Sequence, residues 1–149
     1  MKYFQDIEIG SKNSFGNYEV TRDEVIEFAT KYDPQSFHLD DEAAAKTYFG
    51  RLSASGWHTC AMTMRMLVDD MAGHEVASMG SPGVDEIRWL SPVYPGDRLR
   101  CESKILEKRQ SNSRPEMGSY RSKITIFNQD DRPVMTMISI GLIRVRSSA

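Results

Sequence analysis

The stretch SGWHTCAMTMRMLVDDMA, residues 55–72, decides how the rest of the chain is read. Trp57, Ala61, Met64, Leu67, Val68 and Met71 recur at spacings of three and four, which predicts one broad apolar helix face. At 1.5 Å per residue such a helix is about 27 Å long, enough to cross an ordinary domain. Gly73 is expected to end it. A stripe of Met and Ala at this spacing reads as core packing.

Working toward the N-terminus, residues 21–31 (TRDEVIEFATK) open on Thr21 with Glu24 three residues later, a capping-box pattern that predicts a helix. Pro34 pushes Asp33 out of the α region, so residues 32–39 (YDPQSFHL) read as a loop. Asp40 is a natural cap for a short helix over DDEAAAKTYF. Toward the C-terminus the pattern changes to strands: residues 84–91, 98–108, 120–127 and 134–145, with a hairpin turn at 128–132. Helices followed by a run of antiparallel strands predict an α+β domain whose sheet packs on the long helix.

The 149 residues fit one domain spanning 1–149 and are too few for a (β/α)₈ barrel, which takes about 250. With 19 basic and 21 acidic residues, no basic excess exists to hold nucleic acid. No apolar run approaches the ~20 residues a membrane span needs, and no signal-peptide core opens the chain. Cys60 and Cys101 are too few for a disulfide framework and read as small buried hydrophobes. A cytoplasmic protein without nucleic-acid or membrane partners is expected.

Of the three histidines, His74 reads as a helix-end residue and His58, without a ligand-spaced neighbour, as a packing residue. His38 has company, with Asp33 five residues before it and Asp40 two after. An imidazole and a carboxylate in one Pro-stiffened loop suit general acid–base work. The other reading has Asp33 capping the backbone while His38 packs on a helix. Ser55-Gly56-Trp57 opens the long helix, where backbone N–H groups lack intrahelical acceptors. Such a terminus either is simply capped by Ser53 or Ser55, or stabilises an oxyanion developing on a thioester carbonyl.

Together these segments resemble the MaoC-like hydratase/dehydratase family. That family's hydratase motif, D-x-N-P-hydrophobic-H-x-D, is similar to Asp33-Pro-Gln-Ser-Phe-His38-Leu-Asp40. FGRLSASGWHT (49–59) looks like its approach to the central helix, and IRWLSPVYPGDRL (87–99) like its R-[FW]-L-x-P-V-x-P-G-D stretch. The sequence departs from the motif at Gln35 and Ser36, and Ser55 stands where many (R)-specific hydratases carry His. The resemblance implies a hot-dog fold, an antiparallel sheet wrapped around the long helix, and a homodimer or higher homo-oligomer. It further implies reversible hydration of an enoyl thioester of coenzyme A or acyl-carrier protein, without metal or cofactor. Carried over, Asp33 and His38 are the acid–base pair, and the Gly56 N–H polarises the thioester. Gln35, Ser36, Ser55 and Trp57 are the substrate-binding residues.

Two rival readings accompany this one. A hot-dog thioesterase needs a carboxylate beside the thioester carbon, and the helix carries Asp69 and Asp70 only at its far end. A non-catalytic acyl-thioester-binding or subunit protein is favoured by Gln35 and Ser36. Arg88, Arg65 and Lys104 are candidate phosphate contacts, or else solvated surface charge.

Overall fold

Five strands form one antiparallel sheet in the computed structural model, which describes residues 1–148. The strands are β1 (Lys12–Glu19), β2 (Ser78–Trp89), β3 (Arg98–Gln110), β4 (Met117–Phe127) and β5 (Pro133–Arg144), in the order β1-β3-β4-β5-β2. Before β2 come α1 (Arg22–Tyr32), α2 (Asp41–Ala45) and the long α3 (Gly56–His74). Alternation puts Leu99 and Cys101 of β3 on the concave face, with Ile124 and Ile126 of β4 and Met135 and Met137 of β5, all buried in one core. Met62 and Met66 of α3 join that core, so the sheet cradles the helix. This is the α+β, hot-dog arrangement that the resemblance implies.

The helix face that meets the sheet differs from the expected stripe. The fully buried positions are His58, Thr59, Met62, Thr63 and Met66. Trp57, Met64 and Val68 are instead 58%, 51% and 48% exposed. At 100° per residue the buried face lies on roughly the opposite side of the helix from the predicted one, about 180° away. Apolar residues occupy both sides of α3, and two threonines interrupt the pattern on the side that is buried. The Thr63 hydroxyl is satisfied there by the Thr59 carbonyl at 2.8 Å. The helix also runs through Gly73. Glu75, not Gly73, takes the left-handed conformation that ends it (φ 47°). The N-terminal segment fixes that turn, because Lys2 N–H donates to the Glu75 carbonyl and Ala77 N–H to the Lys2 carbonyl, both at 2.9 Å.

Thr21 caps α1, accepting the Glu24 N–H at 3.3 Å, but only this half of the capping box forms. The Glu24 carboxylate accepts the Tyr18 phenol instead, at 2.8 Å. Asp40 caps α2 as expected, yet that helix stops at Ala45. Strand β2 begins six residues earlier than predicted, and β1 was read as no element at all. Among the described residues no helix is long and apolar enough to cross a membrane.

Buried His58 gives the fold an acid sensitivity. Its ring stacks on Phe28 at 4.8 Å, and its Nδ1 has no hydrogen-bond partner among the described residues. Burial holds its pKa below the ordinary imidazole value, against the weaker opposing pull of Glu24. The unfolded chain therefore takes up this proton first. Stability is complete above about pH 6.5 and falls as the pH drops from there through the folded-state pKa. Thermal melts between pH 7.5 and 5 are expected to show this decline, bounded by about 1.4 kcal/mol per pH unit for one proton. In His58→Leu the slope should flatten; an unchanged slope would assign the sensitivity to another group.

Candidate active site

The residues between α1 and α2 lie over the start of α3. Asp33 terminates α1, its N–H bonded to the Ala29 carbonyl at 2.9 Å, with φ −150° and ψ 66° outside the helical region. Pro34 disfavours the helical region for its predecessor, and Asp33 lies outside it. Gln35 N–H then returns to the Asp33 carbonyl (2.8 Å), and a single 3₁₀ turn over Ser36–His38 carries the imidazole inward. His38 is 5% exposed. Its Nδ1 lies 2.7 Å from the Ser53 carbonyl, an acceptor only, so Nδ1 carries a proton, and in the neutral imidazole Nε2 is the nitrogen with the lone pair. Nε2 is 3.6 Å from Oδ2 of Asp33.

The Asp33 carboxylate is held from two sides. Ser55 Oγ donates to Oδ2 at 2.7 Å, and Gln35 Nε2 donates to Oδ1 at 2.7 Å. Burial pushes its pKa up. The hydrogen bonds from Ser55 and Gln35, with the positive charge His38 carries when protonated, push it down by more, so it lies below the usual carboxylate value. Ser55 also caps α3, its Oγ accepting the Trp57 N–H at 3.3 Å. One hydroxyl thereby ties the carboxylate to the positive end of the longest helix. Asp40, the other acid near His38 in sequence, is spent capping α2, where it accepts the Ala43 N–H at 3.0 Å.

Asp33, His38, Gln35, Ser55, Gly56 and Trp57 all line one cavity of about 350 Å³. Ser36 does not, because it opens the 3₁₀ turn on the outside. Most of the remaining wall is apolar, and two aromatic side chains, Phe37 and Phe49, flank the imidazole. Phe37 meets His38 edge-on at 4.6 Å and stacks on Phe49 at 5.1 Å. The indole of Trp89 lies against Gly56, in the space where a Cβ would sit, and its Nε1 donates to the Gly56 carbonyl at 3.0 Å. The space that the absent Cβ leaves at Gly56 is thus filled by Trp89. Sequence reasoning missed Trp89, Phe49 and Thr59 as wall residues. Trp89 stands in the 87–99 stretch, so its place in that motif was the available signal.

The other charged candidates lie elsewhere. Arg65 pairs with Asp69 at 3.0 Å, and Asp70 accepts from Asn13 at 3.2 Å. Asp69 and Asp70 are 13 and 14 residues beyond Gly56, about 20 Å along the helix. Neither they nor Arg65, Arg88 and Lys104 line the cavity.

Comparison with known proteins places the family and the fold. A family model described as the MaoC like domain matches residues 6–125. The crystal structure of a MaoC-like dehydratase from Rhodospirillum rubrum superposes with a TM-score of 0.90 at 34% identity, covering 99% of each chain. The unliganded R-hydratase of Pseudomonas aeruginosa shares the fold, with a TM-score of 0.70 and 22% identity over 99% of this chain and 92% of that one. A mesaconyl-CoA hydratase from Cereibacter sphaeroides is 33% identical over 82 residues, 55% of this chain and 23% of that protein.

Proposed function

Because the chain belongs to the MaoC-like dehydratase family, we propose that it is a cytoplasmic hydro-lyase acting as one domain over residues 1–149. Its reaction is the reversible addition of water across the double bond of an enoyl thioester, of coenzyme A or acyl-carrier protein, giving the 3-hydroxyacyl thioester. The observation that carries this reading is the convergence of the Asp33 carboxylate and the His38 Nε2 on an apolar cavity at a helix N-terminus. Two unpaired thiols, Cys60 and Cys101, suit a reducing compartment.

In the hydration direction a water lies between Asp33 and His38. His38 Nε2 takes one of its protons as the oxygen bonds to the β-carbon, and the imidazolium so formed is stabilised by the Asp33 carboxylate. Negative charge passes through the double bond onto the thioester oxygen, where the Gly56 N–H meets it. The imidazolium proton then goes to the α-carbon, and both groups return to their starting states. One C–O and one C–H bond form, the π bond is consumed, and the thioester survives. Lipid-like acyl groups suit the Phe37, Phe49, Leu90 and Val93 walls.

The exposed Trp57, Met64 and Val68 of α3, with Met79 and Val84 on edge strand β2, support the homodimer that the resemblance implies. The test of function is a spectrophotometric screen of crotonyl-, longer and methyl-branched enoyl-CoA. Loss of enone absorbance without free thiol is the expected result. Release of free thiol would instead indicate a thioesterase, and binding without any absorbance change a non-catalytic acyl-thioester protein.

A further inference from the structure

Three threonines sit in the helices α1 and α3 with their hydroxyls in different circumstances. Thr30 donates to the Ile26 carbonyl at 2.7 Å and Thr63 to the Thr59 carbonyl at 2.8 Å, the usual bond back to residue i−4. Thr59 makes no such bond. Its own i−4 carbonyl, that of Ser55, accepts only the Thr59 main-chain N–H, at 3.1 Å. Yet Thr59 is 2% exposed and lines the catalytic cavity. The hydroxyl is not among the sealed, unpartnered side-chain atoms of the core, so it is open to the cavity, where a molecule can complete its hydrogen bonding.

The position of Thr59 narrows what that is. It lies three residues after Gly56, so the two stand on the same side of α3, about one turn apart. Helical side chains lean toward the N-terminus, which brings the Thr59 side chain back over the first turn. A carbonyl oxygen received by the Gly56 N–H is then within reach of this hydroxyl. Oxyanion sites work by aiming fixed donors at the oxygen that gains charge, and a main-chain N–H alone is a sparse set. Resting on the hydratase reading above, we propose that the Thr59 hydroxyl is a second catalytic donor to the thioester oxygen, beside the Gly56 N–H. No proton leaves Thr59. The O–H bond stays intact, and the hydrogen bond strengthens as the carbonyl becomes an enolate oxygen.

The test compares Thr59→Val, which keeps the shape and removes the hydroxyl, with Thr59→Ser, which keeps the hydroxyl and removes the methyl. Crotonyl-CoA hydration gives kcat and KM, unreactive butyryl-CoA gives ground-state binding, and a thermal melt monitors the fold. Thr59→Val is expected to lose about 10²-fold in kcat, the usual scale for one oxyanion donor. Butyryl-CoA affinity should change less than threefold, and Tm should hold. Thr59→Ser should stay within about threefold of the parent kcat. Thr59→Val turning over within threefold of the parent would overturn the assignment. So would a fall in both variants that tracks Tm, because that marks a packing role. If the unaltered protein hydrates none of the enoyl thioesters, the hydratase reading fails first and takes this inference with it.

Discussion

His38→Ala is expected to lower kcat/KM for enoyl-CoA hydration by about 10²–10⁴-fold, the range for a positioned acid–base group. The replacement removes the Nε2 that faces Asp33 and also the Nδ1–H that satisfies the Ser53 carbonyl. A stability loss of about 1–3 kcal/mol accompanies the unpaired carbonyl, so a melt must show that the variant is folded at the assay temperature. Asp33→Asn is the sharper probe because its shape is unchanged. Both carboxylate oxygens accept a donor, Ser55 on one and Gln35 on the other. An amide has one acceptor oxygen, so its NH₂ must face one of those donors. A loss of similar size is expected, and the double variant should cost little more than either single one, since the groups act as a unit. Near-parental rates in either single variant would remove that residue from the mechanism. Because Asp33 titrates below the usual carboxylate range, it stays ionised throughout any neutral assay.

Gly56→Ala carries the second large effect, and the cause is steric. The backbone at Gly56 is ordinary helix, so the added methyl brings no torsional penalty. It would land in the indole of Trp89, with Cδ2 at 2.6 Å and Nε1 at 2.7 Å. Neighbours that close must move, and overpacking of this kind costs about 1–3 kcal/mol. Displacing Trp89 breaks its bond to the Gly56 carbonyl and deforms the cavity wall beside the proposed oxyanion site. Misplacement of about 1 Å at a reacting centre can cost 10²-fold, and a drop of that order in kcat/KM is expected. Trp89→Phe in the same chain, with a smaller ring, should recover much of the lost Tm. If the pair of substitutions is merely additive in Tm, the clash is not the cause.

How much of this was legible beforehand varies with the kind of signal. Helix α1, the Asp40 cap and strands β3 to β5 follow from local rules, because capping and alternation act within a few residues. The pairing of Asp33 with His38 was readable from spacing and motif. That Gln35 and Ser55 converge on Asp33 was not, because Ser55 is 22 residues away and only the tertiary fold brings them together. The orientation of α3 was misread for a similar reason. Met62 and Met66 are as apolar as Met64 and Val68, and the sheet decides which set is covered. Strand β1 was missed because KNSFGNYE has little alternation. It lies at a sheet edge, and Gly16 sits at φ +89° with the Met66 side chain in the space of its absent Cβ. The early part of β2, with Gly80, Pro82 and Gly83, reads as turn chemistry, yet an edge strand tolerates it.

Trp57 and Trp89 meet edge-on with ring centroids 5.3 Å apart, and both line the cavity. They are the two tryptophans of the chain. Indole emission from this protein therefore originates wholly at the mouth of the candidate active-site cavity, from a coupled pair about half open to solvent. The molecule carries its own optical reporter, silent about the rest of the fold and positioned where the proposed acyl thioester would pass.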